Sequence, residues 1–284
     1  MLILKLDVVS VGTCNMDFIL KVPQFVELDG EMYIEEIKKI PGGSALNFAI
    51  KTSSNGLNSG IIAKIGKDYY GEIIFDKLSK NGVEISRIEK IDNSTGMAFI
   101  SVDGHGKRSI YSFMGANEEL TLSKEDFEYI KSAEITHLNG TYWEVAYAAA
   151  KNANILSFAP GALLSTFGLD KLEPVLSNTD ILFLNEKEVK ILTGLELNRG
   201  IDTLIENGIP LVVITLGDKG SILHNQKEII KCPAKSVKVL DTTGAGDAFA
   251  AGFISQFFHK KSLNSCLEFA NLSAADCIGK LGGI

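Results

Sequence analysis

Short apolar runs alternate with helical patterns along most of this chain. Runs typical of buried strands, bounded by glycine or polar residues, lie at 8–12, 61–66, 135–138, 155–158, 181–185 and 211–216. Segments with helical periodicity lie at 69–81, 145–153 and 262–278. Strands that alternate with helices form a mostly parallel sheet covered by helices. We therefore predict an α/β fold with a doubly wound, mostly parallel sheet.

Two β-rich stretches interrupt this alternation. Residues 18–40 contain short strand-like runs separated by the Asp29-Gly30 pair, and residues 95–113 alternate across a glycine-containing turn. Both patterns are typical of hairpins that leave the main layer. We therefore expect a small second sheet, inserted into a single domain that spans residues 1–284.

Composition and charge exclude several classes of function for this protein. Of the 284 residues, 45% are hydrophobic and 22% are charged, as in a soluble globular protein with a substantial core. The net charge of −7, without long blocks of one sign, argues against binding to nucleic acid or to an anionic membrane surface. The spacing of the four cysteines fits neither a metal site nor a disulfide framework, so we expect reduced thiols.

The N-terminal stretch lacks the pattern of a targeting segment. It is apolar but interrupted by Lys5 and Asp7, which makes it too short and too charged for a signal peptide or a spanning helix. We therefore expect a cytoplasmic protein.

The turn at 241–247, Asp-Thr-Thr-Gly-Ala-Gly-Asp, carries the strongest chemical signal because it leads into an apolar helix. A glycine-rich turn before a helix directs backbone N–H groups, here around Gly244, Ala245 and Gly246, toward an anion. Asp247 adds a carboxylate, which we expect to stay ionised beside the helix N-terminus. Phosphoryl-binding donors next to a base for a hydroxyl are the parts of a small-molecule kinase. A short turn of this kind also occurs where a loop merely meets a helix.

Polar residues follow the first strand and the first hairpin. Asp17 lies just beyond the apolar run 8–12, where α/β sheets bind ligands, although a lone Asp there is more often a turn residue. Gly42 and Gly43 permit unusual dihedral angles and a hinge, and Asn47 follows on the first helical turn. A carboxylate and an amide together can bind hydroxyl groups.

These two motifs resemble signatures of the ribokinase-like (PfkB) carbohydrate kinases. The turn at 241–247 matches their signature D-T-x-G-A-G-D, and residues 42–47 match G-G-x-x-x-N. The resemblance implies that Asp247 is the catalytic base and that Asp17 occupies the position of a substrate-binding aspartate. The residues that the resemblance assigns to substrate binding are Asp17, Gly42, Gly43 and Asn47. Arg108 is added as a substrate-binding candidate because it could face a ligand from the second β-rich stretch, although the pattern fits a solvated side chain on an exposed strand at least as well.

Weaker motifs resemble the nucleotide and metal sites of the family. Asn185 and Glu188 resemble its N-x-x-E motif, which orders Mg²⁺ and phosphate through water, although alone they are typical of a helix start. Asp241 and Thr243 resemble a monovalent-cation site of some relatives, and Asp241 could simply cap its turn. The residues assigned to nucleotide binding are Asn185, Thr215, Gly217, Gly220 and Asn271.

The resemblance implies an ATP-dependent transfer of the γ-phosphoryl group to a hydroxyl of a sugar or sugar-like substrate. A nucleoside kinase of the same family is the alternative, and a non-catalytic ligand-binding relative is less favoured because the base and the glycines are present. The implied cofactors are ATP and Mg²⁺, with K⁺ in some relatives. In the family the small sheet closes as a lid, and we expect a homodimer joined through it.

Two departures weaken an assignment to ribose. Ribokinases proper carry a glutamate near the position aligned with Gly140, and many members of the family carry an aspartate where this chain has Ala159. Neither residue is the catalytic base, so phosphoryl transfer remains compatible with the sequence.

Overall fold

The computed structural model describes residues 5–280, so the first four residues of the apolar N-terminal stretch lie outside it. The strands in this range are β1 (Val8–Gly12), β2 (Asn15–Lys21), β3 (Glu36–Gly42), β4 (Ser59–Gly66), β5 (Glu84–Ile91), β6 (Gly96–Val102), β7 (Arg108–Phe113), β8 (Ile135–Asn139), β9 (Ile155–Ala159), β10 (Ile181–Asn185), β11 (Leu211–Thr215), β12 (Ser221–Asn225) and β13 (Ile229–Cys232). The α-helices are α1 (Ser44–Ser54), α2 (Tyr69–Lys80), α3 (Lys124–Ser132), α4 (Trp143–Ala150), α5 (Gly161–Ser165), α6 (Gly168–Leu176), α7 (Glu186–Thr193), α8 (Leu197–Glu206), α9 (Ala245–Phe258) and α10 (Leu263–Ile278). Two 3-10 helices cover Gly115–Glu119 and Gly217–Lys219.

Nine strands form a central sheet in the order β13-β12-β11-β10-β9-β8-β1-β4-β5. Neighbouring strands from β5 to β11 are parallel, and β12 and β13 continue the sheet antiparallel. The order reverses at β1, because later strands add on one side through β4 and on the other through β8. A crevice opens at such a switch point, beyond the carboxyl ends of the strands.

Helices cover both faces of this sheet, which confirms the predicted fold class. Successive side chains of a strand point to opposite faces. Leu182 and Leu184 of β10 pack in one cluster with residues of α3 to α8. Ile181 and Phe183 of the same strand pack in a second cluster with residues of α1, α9 and α10. Among residues 5–280, no helix is long and apolar enough to cross a bilayer.

The two β-rich stretches form a second sheet in the order β3-β2-β6-β7. β2 pairs antiparallel with β3 and parallel with β6, which pairs antiparallel with β7. The strands differ from the predicted bounds, since β2 begins at Asn15 and β3 extends to Gly42. Asp17 therefore lies within a strand and not in a turn at its end.

Buried hydrogen bonds hold the base of the small sheet against the central sheet. The buried side chain of Asn117 accepts from the backbone N of Cys14 at 2.9 Å and donates to Asn15 Oδ1 at 2.8 Å. Thr95 donates through its hydroxyl and its backbone N to Asp68, at 2.6 and 2.7 Å. These contacts fix the positions at which the chain enters and leaves the small sheet, next to the crevice.

Candidate active site

The turn at 241–247 leads into α9 as the sequence predicts. Gly244 is the N-cap residue, and its φ of 74° lies in the left-handed region that favours glycine. A Cβ atom at Gly244 would also lie 3.1 Å from Asn47 Nδ2. The N–H groups of Gly246 and Asp247 follow in the first turn of α9, where the helix supplies no acceptors for them, and the N–H of Ala245 makes only a long hydrogen bond of 3.4 Å to the oxygen of Thr242. This end of α9 has the donors that an anion requires.

Amide groups from two other elements hold the carboxyl group of Asp247. Asn47 of α1 donates through Nδ2 to Asp247 Oδ2 at 3.0 Å. Asn139, at the carboxyl end of β8, donates through Nδ2 to Asp247 Oδ1 at 3.3 Å. The structure thus brings Asn47 and Asp247 together, although they are 200 positions apart in sequence.

The pKa of Asp247 differs from the value expected at a helix N-terminus. Burial raises the pKa of this carboxyl to about 7, against the hydrogen bonds from Asn47, Asn139 and Ser44, which lower it. The negative charge of Glu188 contributes to this rise. Although the residue is partly exposed, its carboxyl group is enclosed by protein, and the neighbouring donors replace only part of the lost hydration. The expectation of a fully ionised Asp247 at neutral pH is therefore wrong.

Asp17 lies in β2 with only 6% of its surface exposed. Burial raises its pKa to about 7, and the negative charges of Asp247 and Asp241 contribute in the same direction. The site therefore contains two buried carboxyl groups, and the charge of Asp247 raises the pKa of Asp17.

The two adjacent glycines of the first motif have different structural roles. A Cβ atom at Gly42 would lie 2.1 Å from Asp17 Oδ2, so Gly42 leaves the space that the carboxyl group of Asp17 occupies. Gly43 has a φ of 96°, and a Cβ atom there would lie 2.6 Å from the backbone oxygen of Thr13. The unusual dihedral angle expected of this pair is thus confirmed for Gly43, which is the N-cap residue of α1.

Asn185 and Glu188 form a capping box at the start of α7. Glu188 N donates to Asn185 Oδ1 at 2.9 Å, and Asn185 N donates to Glu188 Oε2 at 2.9 Å. Burial raises the pKa of Glu188. The helix-start interpretation of this motif is therefore confirmed, and Glu188 also affects the pKa of Asp247 across the crevice.

Thr215, Gly217 and Gly220, which were predicted to bind the nucleotide, lie at the end of β11 and in the turn after it. Asn185 and Thr215 are paired in register at the carboxyl ends of β10 and β11. Gly217 has a φ of 63°, and a Cβ atom there would have no other atom within 4 Å, so conformation and not crowding favours glycine at this position. Gly220 has a φ of 97°, and a Cβ atom there would lie 2.1 Å from the oxygen of Cys232.

The buried side chain of Asn271 has a hydrogen-bond partner, whereas the hydroxyl group of Thr243 has none. The buried side chain of Asn271 donates to Ser221 Oγ at 2.9 Å and so links α10 to β12. The backbone N of Thr243 donates to Asp241 Oδ1 at 2.8 Å, as expected if Asp241 caps the turn. The hydroxyl oxygen of Thr243 is buried without a hydrogen-bond partner.

Comparison with known proteins agrees with this arrangement. Residues 5–284 match the model of the pfkB family carbohydrate kinases. The chain belongs to this family. It is 31% identical over 277 residues to a nucleoside kinase of Methanothermobacter thermautotrophicus, covering 95% of this chain and 88% of that protein.

Solved structures of PfkB-family kinases share the fold over almost the whole chain. The ribokinase of Thermotoga maritima superposes with a TM-score of 0.86 at 29% identity, covering 98% of this chain and 94% of that one. The ribokinase of Arabidopsis thaliana in complex with ribose and ATP gives a TM-score of 0.87 at 25% identity, covering 99% and 95%. The chain is therefore a carbohydrate kinase of the PfkB family, an enzyme with an alcohol group as acceptor.

The structure does not bring Arg108 to this PfkB-family site. The register aligns Asp17 with Ala98 and Ser112, whereas Arg108 is aligned with Val102. Arg108 is exposed at the end of β7 farther from the crevice. The pattern of the hairpin predicted its strand correctly, but it contained no information on how β6 and β7 align with β2.

Asn139 and Ser44 are neighbours of Asp247 that the sequence analysis missed. The comparison with ribokinases pointed to Gly140, whose φ is 56° and whose Cβ atom would lie 2.5 Å from Thr13 Oγ1. No side chain fits there without displacing Thr13, and the polar side chain near Asp247 comes from the preceding residue. The position of Asn139 at the end of the apolar run 135–138 is the signal that could have found it.

Proposed function

We propose that this PfkB-family kinase uses ATP to phosphorylate a hydroxyl group of a sugar, with Asp247 as the base. The observation that carries the proposal is the position of the Asp247 carboxyl, between two amide donors and beside the N–H groups that begin α9. ATP is supported by the similarity to the Arabidopsis ribokinase, which was solved with ribose and ATP. A nucleoside is the second candidate acceptor, favoured by the 31% identity to a nucleoside kinase.

In this mechanism Asp17 and Asn47 hold the acceptor. Asp17 faces the crevice from the small sheet and Asn47 from the first turn of α1, so hydroxyl groups between them can donate to the carboxylate and accept from the amide. The buried position of Asp17 strengthens each such hydrogen bond because water competes weakly there.

Phosphoryl transfer then forms a bond from the acceptor oxygen to the γ-phosphorus and breaks the bond from that phosphorus to the β–γ bridging oxygen. Asp247 takes the proton of the hydroxyl, and ADP leaves with the bridging oxygen. The N–H groups around Gly244, Ala245 and Gly246 stabilise the negative charge on the transferred group.

The residues present fit the nucleotide and metal sites expected in the family. Thr215, Gly217 and Gly220 would contact the phosphates, and Asn271 the region of the adenine. Among residues 5–280, no group of three or more His, Cys, Asp or Glu side chains could hold a metal ion directly. A Mg²⁺ ion that keeps most of its water fits the pair of Asn185 and Glu188.

The two metal sites would supply charge neutralisation only. Bound Mg²⁺ would neutralise charge on the phosphate oxygens. A monovalent cation such as K⁺ would be held near Asp241 and Thr243, where the hydroxyl oxygen of Thr243 is buried without a hydrogen-bond partner.

Replacement of the base tests the proposed function. Asp247→Asn keeps the shape of the side chain but removes the base, so kcat should fall by about 10² to 10⁴ while ATP binding changes little. Phosphotransfer should be measured over a panel of sugars, polyols and nucleosides, and ATP binding by calorimetry. Asp276→Asn, which changes a surface carboxylate paired with Lys51 and Lys280, serves as the control. Near-normal turnover by Asp247→Asn would rule out this mechanism.

We also propose that the small sheet acts as a lid within a single domain and joins two copies of the chain. The register places Ile37, Phe99, Tyr111 and Phe113 on the face opposite to Asp17, and all four side chains are exposed. An exposed apolar sheet face of this kind favours pairing between subunits. Sedimentation at micromolar concentration should give a dimer, and Tyr111→Asp should weaken it. A monomeric wild-type protein would exclude this assembly.

A further inference from the structure

The side-chain amide of Asn139 makes two hydrogen bonds through its nitrogen and none through its oxygen. The residue ends β8, is 3% exposed and lies in register with Gly12 of β1. Its Nδ2 donates to the backbone oxygen of Ser44 at 3.0 Å and to Asp247 Oδ1 at 3.3 Å. Its Oδ1 is buried without a hydrogen-bond partner.

This pattern is unusual for an asparagine that serves only to stabilise the fold. Leaving a buried carbonyl oxygen unpaired costs free energy. Asn117 of the same protein, also buried, uses both ends of its amide, since it accepts from Cys14 N and donates to Asn15 Oδ1. The hydrogen bonds of Asn139 are instead concentrated on the NH₂ group that reaches the base.

The contacts of Asn139 fix the plane of the Asp247 carboxyl group. Asn47 holds Oδ2 of that carboxyl and Asn139 holds Oδ1, so both oxygens have a donor. The oxygen of Ser44 belongs to the first residue of α1, and its hydrogen bond ties the amide of Asn139 to the backbone of the helix that carries Asn47. Asp247 is thereby positioned relative to α1 as well as to its own helix α9.

We propose that Asn139 is a positioning residue, which orients the carboxyl group of Asp247 for proton transfer from the acceptor hydroxyl. This inference rests on the proposed function of Asp247 as the base. A misplacement of about 1 Å can reduce turnover by about 10²-fold, because the geometry of the transferring atoms is lost.

Other charged or titratable groups also face Asp247 and have to be kept in place when Asn139 is changed. They are Asp17 of β2, Glu188 of α7 and Cys277 of α10, and Asp241, in the turn before α9, acts on Asp17 and Cys277 in turn. Asn139 Nδ2 donates to the oxygen of Ser44 and to Asp247 Oδ1, so a change at Asn139 that adds no charge removes one donor from Asp247.

Two variants of Asn139 and one matched control test the proposal. Asn139→Leu keeps the approximate size and loses the NH₂ donor without adding a charge, and Asn139→Ala removes the whole amide. Asn55→Leu is the control, because Asn55 Nδ2 also joins α1 to α9, by a 3.1 Å hydrogen bond to Ser255 Oγ, but away from the site. With ATP and the best acceptor of the panel, both Asn139 variants should lose about 10- to 100-fold in kcat with KM values within about 3-fold of wild type.

The pH profile separates positioning from a general loss of stability. The hydrogen bond from Asn139 lowers the pKa of Asp247. Without it, the acid limb of kcat/KM should move to higher pH in both Asn139 variants and should stay unchanged in Asn55→Leu. Melting temperatures are measured alongside. A wild-type kcat and an unmoved limb in a folded Asn139 variant would overturn the proposal, and so would failure of both variants to fold.

A second readout separates this proposal from the proposed function. If wild type phosphorylates no member of the panel, the proposed function fails, and Asn139 is then judged by NMR of ¹³C-labelled aspartate. The Asp247 carboxyl resonance, assigned by its loss in Asp247→Asn, should titrate at higher pH in Asn139→Ala than in wild type. An unchanged titration would overturn the role of Asn139 independently of any activity.

Discussion

Asp17 and Asp247 form a pair of buried carboxyl groups within one site. Burial raises the pKa of each to about 7, and the charge of Asp247 contributes to the rise for Asp17. Groups that interact in this way release their protons as a coupled pair, and the pair titrates near neutral pH. A helix N-terminus alone would have suggested the opposite shift for Asp247. The sequence therefore predicted that Asp247 lies at the start of α9 but not its pKa, which depends on enclosure by residues far away in the chain.

The pH dependence of turnover follows from this pair. Because Asp247 accepts a proton only when ionised, kcat/KM for the acceptor should fall as the pH is lowered through about 7. Asp17→Asn removes a negative charge that opposes ionisation of Asp247, so this fall should move to lower pH. The same change should raise KM for the acceptor by about 10-fold or more and leave KM for ATP nearly unchanged, because a charge-assisted hydrogen bond is lost.

Initial rates measured from about pH 5 to 9, with ATP and acceptor varied in turn, check both quantities. The prediction fails if the acid limb of Asp17→Asn coincides with that of wild type. Equal increases of KM for both substrates would also contradict it, since they would indicate a general disturbance of the site.

At the scale of elements, the strands that the sequence predicted clearly were those buried on both faces. The central strands β1, β8 and β10 are short apolar runs and were predicted from that pattern. β5 was missed because it lies at the edge of the sheet and mixes charged with apolar residues. Pairing depends on partners distant in sequence, so the register that separates Arg108 from Asp17 could not be foreseen either.

The junction of β3 with α1 gives two adjacent glycines that should respond differently to the same substitution. In Gly42→Ala the new methyl group displaces the carboxyl group of Asp17, so KM for the acceptor should rise while folding is largely kept. In Gly43→Ala the positive φ and the backbone of Thr13 oppose the methyl group, which should lower the free energy of unfolding by about 1–3 kcal/mol or more.

Urea unfolding and acceptor kinetics on both variants measure these effects. Equal losses of stability in Gly42→Ala and Gly43→Ala would show that both glycines act through the backbone. If Gly42→Ala has the wild-type KM for the acceptor, then acceptor binding by Asp17 does not require the space that glycine leaves at position 42.

For the whole molecule, the strand order explains why distant motifs meet. The order reverses at β1, so β1 and β8 lie side by side and their carboxyl ends open onto the crevice. α1 and α9 pack in one cluster on the same face and bring Asn47 to Asp247. The alternation of strands and helices predicted such an arrangement in outline. The end of the apolar run 135–138 could have marked Asn139 as a candidate, but its contact with Asp247 depends on the side-by-side placement of β8 and α1 and could not be read from the sequence.

The burial of the thiols makes the protein suited to spectroscopic labelling. All four cysteines, Cys14, Cys232, Cys266 and Cys277, are buried and unpaired. Burial raises the pKa of the Cys14 and Cys277 thiols to about 12, which keeps them in the unreactive protonated form. Gly104, at the tip of the β6–β7 hairpin, has no atom within 4 Å of its Cβ position. A cysteine placed there would accept a maleimide dye selectively, so the proposed closure of the small sheet could be tested by fluorescence without removing any native thiol.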